Sequence, residues 1–182
     1  LTRHITKLWV AIKVMNRDCL IIAQELMTFG YDKVAGLNMA SSRTPGGGVR
    51  GGVGAQDEDL YRRMNRHTEQ YKGNASPLPH NHAVAMIHNG VTILRGLSAE
   101  GYPFLKDRQR INVISTAAPS HPPLTIPDDG GPVSYADPGD RLEMPTRIRL
   151  SLRAVIAKRC DAAVLSAFGC GAFKNPLEDV AR

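Results

Sequence analysis

The chain is poor in the residues that most directly mark a function. Cysteine occurs three times in 182 residues, at Cys19, Cys160 and Cys170. An odd number with no CxxC pair implies neither a disulfide framework nor a zinc site, and points to a reducing compartment, an intracellular one such as cytoplasm or nucleus. The six histidines lack metal-ligand spacing. His80 and His82 flank Asn81 in a Pro/Asn/Ser-rich stretch with no cysteine nearby, so no metal and no other cofactor is expected. Aromatics are only 5% of the chain, which leaves no ordered platform for stacking nucleic-acid bases. No apolar run approaches the roughly 18 residues of a membrane span, so no membrane partner is expected. Neither GxGxxG after the first apolar run nor a GKS/GKT ending occurs, so a dinucleotide fold and a P-loop NTPase are poorly supported.

Glycine is abundant, and concentrated. TPGGGVRGGVGAQDEDL (44–60) has six glycines in nine positions, and an acidic cluster follows at once. Such a run costs conformational entropy on folding. It is either a loop that never orders or one whose backbone must come very close to a ligand. The net charge of +6 suits an anionic partner, though a solvated basic surface accounts for it equally. The arginines (Arg62, Arg63, Arg66, Arg108, Arg110, Arg147, Arg149, Arg153) are scattered, so direct nucleic-acid binding through an Arg/Gly loop is not expected.

Along the chain, LWVAIKV (8–14), KVAGLNMA (33–40), RINVISTAAP (110–119) and DAAVLSAF (161–168) read as strands. Asn89-Gly90 between two apolar runs predicts a hairpin. Asp18 can cap a helix through CLIIAQELMTF that Gly30 ends. AQDEDLYRRMNRHTEQY reads as a helix with acids in its first turn and arginines later, which suits the helix dipole. MPTRIRLSLRAVIAKRC (144–160) is helical by periodicity. Residues 119–145 read as one long Pro/Gly/Asp-rich loop. Alternating strands and helices predict an α/β fold of three α/β/α layers with a mixed or largely parallel sheet. Ligands in such folds bind at the carboxyl ends of strands. Three such ends run into suggestive loops: LNMASSRTPGGG, VISTAAPS and LSAFGCGAFKNP.

NMASSRTPGGGVRGGVGAQDEDLYRR (38–63) resembles the signature of poly(ADP-ribose) glycohydrolases: a triple glycine, six to eight residues, then Gln-acid-acid. INVISTAAP resembles the family's middle strand, and AVLSAFGCGAFKNPLEDVA (163–181) the later pyrophosphate-loop segment of the microbial-type enzymes, a branch of the macrodomain superfamily. The resemblance runs from about residue 14 to the end. It implies a single macrodomain-like catalytic domain over 1–182. The family continues with another helix and strand, so the chain is expected to be a C-terminally truncated portion of a longer protein.

The resemblance further implies ADP-ribose, and poly(ADP-ribose) on modified proteins, as ligands, and a hydrolase releasing ADP-ribose from chain ends, expected to be a monomer. Glu58 matches the catalytic acid, and Asp57 the preceding acid that contacts the neighbouring ribose, one methylene shorter than the usual Glu. Gln56 matches a Gln that positions the ribose or the motif itself. Asn38 matches a ribose-side Asn. Gly46, Gly47, Gly48 and Val49 match the loop that wraps the diphosphate, and Gly169, Cys170, Gly171, Ala172 and Phe173 the second loop.

Each residue also has a plainer reading. Glu58 and Asp59 suit the surface of a helix's first turn, Asn38 a strand-end cap, and Phe168, Phe173, Tyr61 and Tyr71 packing. Cys170 lacks a convincing His partner and reads as a small residue that fits its loop. On chemistry alone, cleaving an O-glycosidic ribose bond needs a carboxylic acid to protonate the leaving oxygen and a positioned water, which one carboxyl can serve in turn. A reader that holds ADP-ribose without cleaving it is the alternative function.

Overall fold

The structure is a computed structural model and describes residues 10–65 and 84–181. Helix α1 (Cys19–Thr28) starts where Asp18 Oδ1 accepts from the Ile21 N–H at 2.9 Å. It ends where Gly30, at φ 99°, lets the Gly30 and Tyr31 N–H groups turn back onto Met27 and Leu26. Strand β1 (Val34–Met39) follows and lies inside a four-stranded sheet. The order is β2 (Met86–Thr92), β3 (Arg110–Thr116), β1 and β6 (Ala162–Val164). β1 runs parallel to both β3 and β6, while β2 is antiparallel to β3. A separate two-stranded ribbon pairs β4 (Leu124–Thr125) with β5 (Ser134–Tyr135).

Side-chain alternation along the strands divides the core into two faces. Val34, Ile111 and Val113 pack with Leu20 and Ala23 of α1 and Leu60 of α2 (Gln56–Arg63). Ala35, Ile114 and Leu37 face the long helix α3 (Pro138–Ala157) through Ala154 and Met144. A short helix α4 (Leu177–Ala181) closes the described chain. This is the expected three-layer α/β/α arrangement with a mixed sheet. Because β1, β3 and β6 are parallel, their carboxyl ends and the three loops leaving them share one edge. Among the described residues no helix is long and apolar enough to cross a membrane.

Several local expectations do not hold. Asn89-Gly90 makes no hairpin; both lie inside β2 at a bulge between His88 and Val91. Gly90 takes φ 58° there, and β3 supplies both its partners: the Asn112 side-chain Oδ1 accepts its N–H, and Arg110 Nε donates to its carbonyl. The described part of the strand expected over 8–14 has no ladder, and Val10, Ile12 and Val14 are exposed. Helix α2 stops at Arg63, because Met64 turns extended and bridges Ile93; the rest of that expected helix, the 80–82 stretch and Tyr71 lie outside the described residues. The strand expected over 161–168 is three residues long. The end of the 119–145 loop is helical: Asp137 caps, Pro138 occupies the first turn, and α3 runs through Pro145.

Candidate active site

Helix α2 is fixed in place by side chains that its sequence sets in its first and last turns. Gln56 spends both ends of its amide on β1: Oε1 accepts from the Met39 N–H at 2.8 Å, and Nε2 donates to the Leu37 carbonyl at 2.7 Å. Of the two roles open to it, positioning the motif is the one its bonds perform. Asp57, buried, accepts from the Ser41 N–H at 3.0 Å and so ties down the chain leaving β1. Arg63, 1% exposed, donates to both carboxyl oxygens of Asp18 at 2.7 and 3.0 Å and to Asp59 at 2.9 Å. Tyr102 also donates to Asp59, so that acid belongs to an ion-pair clamp and not to a plain solvated face. Burial pushes the Asp18 carboxyl up, but its bonds to Arg63 and the Ile21 N–H outweigh that and hold it below the usual carboxylate value.

With α2 locked, Glu58 faces inward and is 6% exposed. Its Oε1 accepts from the Gly48 N–H at 2.7 Å, while Oε2 is buried and has no partner among the described residues. A buried carboxyl oxygen without a protein partner is costly in a folded protein, so this oxygen needs a water, a ligand or a proton to satisfy it. Asn38 lies buried on the same face of the sheet; its Nδ2 donates to Ser115 Oγ across β1 and β3, and its Oδ1 also lacks a partner. Two polar atoms are thus left open in one layer.

The triple glycine packs directly on this helix. A Cβ at Gly47 would stand 2.2 Å from Glu58 Oε1, and Gly47 holds φ 54°. Gly46 lies as tightly over the Tyr61 ring. The loop continues into a turn of 3-10 helix (Val49–Gly51), and Arg62 clamps it by donating to the Val53 carbonyl at 2.7 Å. The N–H groups of Gly47, Val49, Gly51, Gly52 and Val53 all bond to carbonyls inside the loop, and that of Gly48 bonds to Glu58. In this arrangement the glycines bring backbone onto the acid, and the N–H groups of Gly47, Gly48, Gly51 and Gly52 are engaged within the protein.

The second loop is built the other way round. Its carbonyls turn inward: Ala167 O accepts from Cys170 N, Gly171 O from Lys174 N, and Gly169 O from Asn175 N. Among the described residues no hydrogen bond takes up the N–H groups of Gly171 or Ala172, the arrangement that suits an anion. Phe173 is half-buried and its carbonyl accepts from the His121 N–H, which joins this loop to the end of β3. Phe168 is core. Burial pushes the Cys170 thiol up, and its Sγ lies against the Phe168 carbonyl, so it reads as a packing residue. An apolar cavity of about 290 Å³ opens between α3, the segment after β6 and α4, lined by Leu37, Ile148, Leu152, Phe168 and Leu177; Glu58 is not among its walls.

The sequence reading overlooked Arg63, Ser115, Tyr135 and Asn175. Only the four-residue spacing of Asp59 and Arg63 was a signal in advance. Among the described residues no cluster of His, Cys, Asp and Glu could hold a metal.

The family described as microbial-type PARG, catalytic domain, matches residues 3–90, which include the glycine loop and Glu58. No curated protein matches the chain. Among solved structures, poly(ADP-ribose) glycohydrolase from Thermomonospora curvata, bound to the inhibitor ADP-HPD, is 26% identical, with a TM-score of 0.68 over 90% of this chain and 60% of its own. The enzyme from Deinococcus radiodurans in complex with ADP-ribose is 24% identical, with a TM-score of 0.73 over 93% of this chain and 66% of its own. The chain therefore spans about three-fifths of the length of the Thermomonospora curvata protein. In sequence over residues 3–90 and in fold over 90% of its length, the chain is similar to the microbial-type poly(ADP-ribose) glycohydrolases.

Proposed function

We propose that the chain is the catalytic portion of a poly(ADP-ribose) glycohydrolase, hydrolysing O-glycosidic ribose–ribose bonds and releasing ADP-ribose. The observation that carries the reading is the asymmetry of Glu58. One oxygen accepts from the Gly48 N–H, and the other is buried and open. An oxygen that already accepts an N–H is the poorer proton donor, so in the proposed reaction Oε2 is the oxygen that serves as the acid.

In the proposed reaction Glu58 Oε2 gives its proton to the leaving ribose oxygen as the glycosidic bond breaks with oxocarbenium character at the anomeric carbon. Water adds to that carbon and returns a proton to the Glu58 carboxylate, so the acid is regenerated. Asp57 acts by holding Ser41 and the start of the loop. Asn38 Oδ1 offers an acceptor in the same layer for a ribose hydroxyl. The open N–H groups of Gly171 and Ala172 are the groups best suited to the diphosphate.

The test is release of ADP-ribose from automodified polymer by the wild type and by Glu58→Gln, with ADP-ribose binding measured calorimetrically on the same samples. Gln keeps an oxygen for the Gly48 N–H but has no proton to give, so binding should persist while kcat falls by roughly 10²–10⁴-fold. Binding without release from either protein would instead make this a reader of ADP-ribose. No binding by either would remove the ligand assignment.

A further inference from the structure

Asn175 lies in the second half of the chain, beyond the segment matched by the family description, and has no place in the reaction above. Its side chain is 4% exposed, and three of its hydrogen-bonding positions reach three separate segments. Nδ2 donates to the Pro119 carbonyl at 2.8 Å, just past the end of β3. The same amide donates to the Gly169 carbonyl at 3.0 Å, at the start of the second loop. Its Oδ1 accepts from the Tyr135 hydroxyl at 2.9 Å, on the ribbon strand β5. Burial pushes the Tyr135 phenol well above its ordinary value, so that hydroxyl stays protonated and remains a donor.

The surroundings leave room for this side chain and little else. Gly169 holds φ 73°, and a Cβ there would meet the Asn175 amide nitrogen at 2.6 Å and Ala118 at 2.5 Å. The Asn175 side chain therefore requires a glycine at position 169. The Gly169 carbonyl receives both the Asn175 backbone N–H and its side chain. Two donors on one carbonyl hold that peptide inward, and the N–H groups of Gly171 and Ala172, on the exposed turn that follows, take no hydrogen bond among the described residues.

We propose that Asn175 is a positioning residue: it bolts the second loop to the end of β3 and to the β4–β5 ribbon, and so keeps the loop's N–H groups preorganised for an anionic ligand. The proposal rests on the reading that this edge binds ADP-ribose, and it deepens that reading. An isosteric Asp lacks both donors and would set carboxylate oxygens against the two carbonyls. An Ala removes donors and volume together.

The test measures Asn175→Asp, Asn175→Ala and the milder Tyr135→Phe against wild type. The first readout is hydrogen exchange of a peptide covering 167–173, which needs no ligand. The second is ADP-ribose affinity, with KM and kcat on polymer. Exchange in this peptide should rise in both Asn175 variants while a peptide from β1 stays protected. ADP-ribose affinity should weaken at least about tenfold and KM should rise, with kcat nearly unchanged, since Glu58 sits on helix α2 and not on this loop. Tyr135→Phe should show the same pattern to a smaller extent. Unchanged exchange in 167–173, or equal loss of protection in β1 and the loop in Tyr135→Phe, would overturn the proposal and make Asn175 an ordinary core polar group. Loosened exchange in a protein whose wild type does not bind ADP-ribose would keep the anchor and discard the ligand reading.

Discussion

The two glycine-containing loops at the carboxyl edge of the sheet are held by opposite means. The loop after β1 is gripped by the acid of the proposed chemistry: Glu58 takes the Gly48 N–H, and the Gln56, Asp57, Arg62 and Arg63 bonds fix the rest of that unit. The loop after β6 is gripped by a neutral amide, Asn175, through its carbonyl side. In the first loop the N–H groups of Gly47, Gly48, Val49, Gly51, Gly52 and Val53 are spent inside the protein, and in the second those of Gly171 and Ala172 are open among the described residues. Similar glycine-rich sequence thus does two different jobs. One loop brings backbone onto a carboxyl group, and the other leaves backbone N–H groups open for the anion of the proposed ligand. Damage to the first should appear in kcat and in stability, and damage to the second in affinity.

The strongest challenge to that division is to the frame behind Glu58. Arg63→Met leaves Asp18 and Asp59 without their cation. Loss of stability should be roughly 2–4 kcal/mol by denaturant unfolding, below the 3–5 of a fully buried pair, because the two acids keep 25% and 24% of their side-chain exposure. The same pair predicts a pH dependence. The Asp18 pKa is depressed on folding, so its contribution is fully present above its unfolded value near 3.9 and is lost as pH falls through the lower folded value. The gap in stability between wild type and Arg63→Met should therefore narrow below about pH 4; a constant gap down to pH 2 would mean that Asp18 is not the partner that matters.

A smaller change aims at the contact itself. Gly47→Ala puts a Cβ against Glu58 Oε1 and asks a non-glycine residue to hold φ 54°. Displacing the acid by the order of an ångström should lower kcat by about 10²-fold, with a stability cost of about 1–2 kcal/mol for the left-handed backbone. If kcat is spared and only KM changes, the first loop is a ligand cradle like the second and the division fails.

The mildest is Gly171→Ala in the second loop. Nothing stands within 4 Å of a Cβ there, and its φ is ordinary, so the protein alone gives no reason for glycine. Stability should stay within about 0.5 kcal/mol. Affinity for ADP-ribose, by calorimetry, should drop several-fold because the added methyl obstructs close approach to the N–H groups; an unchanged affinity would leave this loop without a ligand role.

The layers of this fold were legible because they depend on local pattern. Asp18 before CLIIAQELMT, the β-branched and apolar runs of β1 and β3, and Gly30 at the helix stop are each set by neighbours within a few residues. Asn89-Gly90 misled for the complementary reason. As a dipeptide it favours a turn, but Asn112 and Arg110 across the ladder hold it in a bulge. Asp137-Pro138 read as part of a loop although cap and proline together open a 20-residue helix, since the apolar periodicity of that helix becomes visible only farther along.

The site divides along the same line. The amino-acid sequence by itself determined which chemistry is available: one Gln-Asp-Glu at a helix start, directly after a glycine run, and a second glycine loop ending in Asn175. These are matters of residue type and short spacing. Only the tertiary structure decided how the groups are spent. Gln56 is consumed by β1, Arg63 is buried between Asp18 and Asp59, Glu58 is left with one open oxygen, and Asn175 joins three segments, one of them strand β5. The physical reason is that a polar group's role is set by the partner that satisfies it. For Arg63 and Asn175 that partner lies 45 and 56 residues away in the chain, reached only when the sheet has brought its strand ends to one edge.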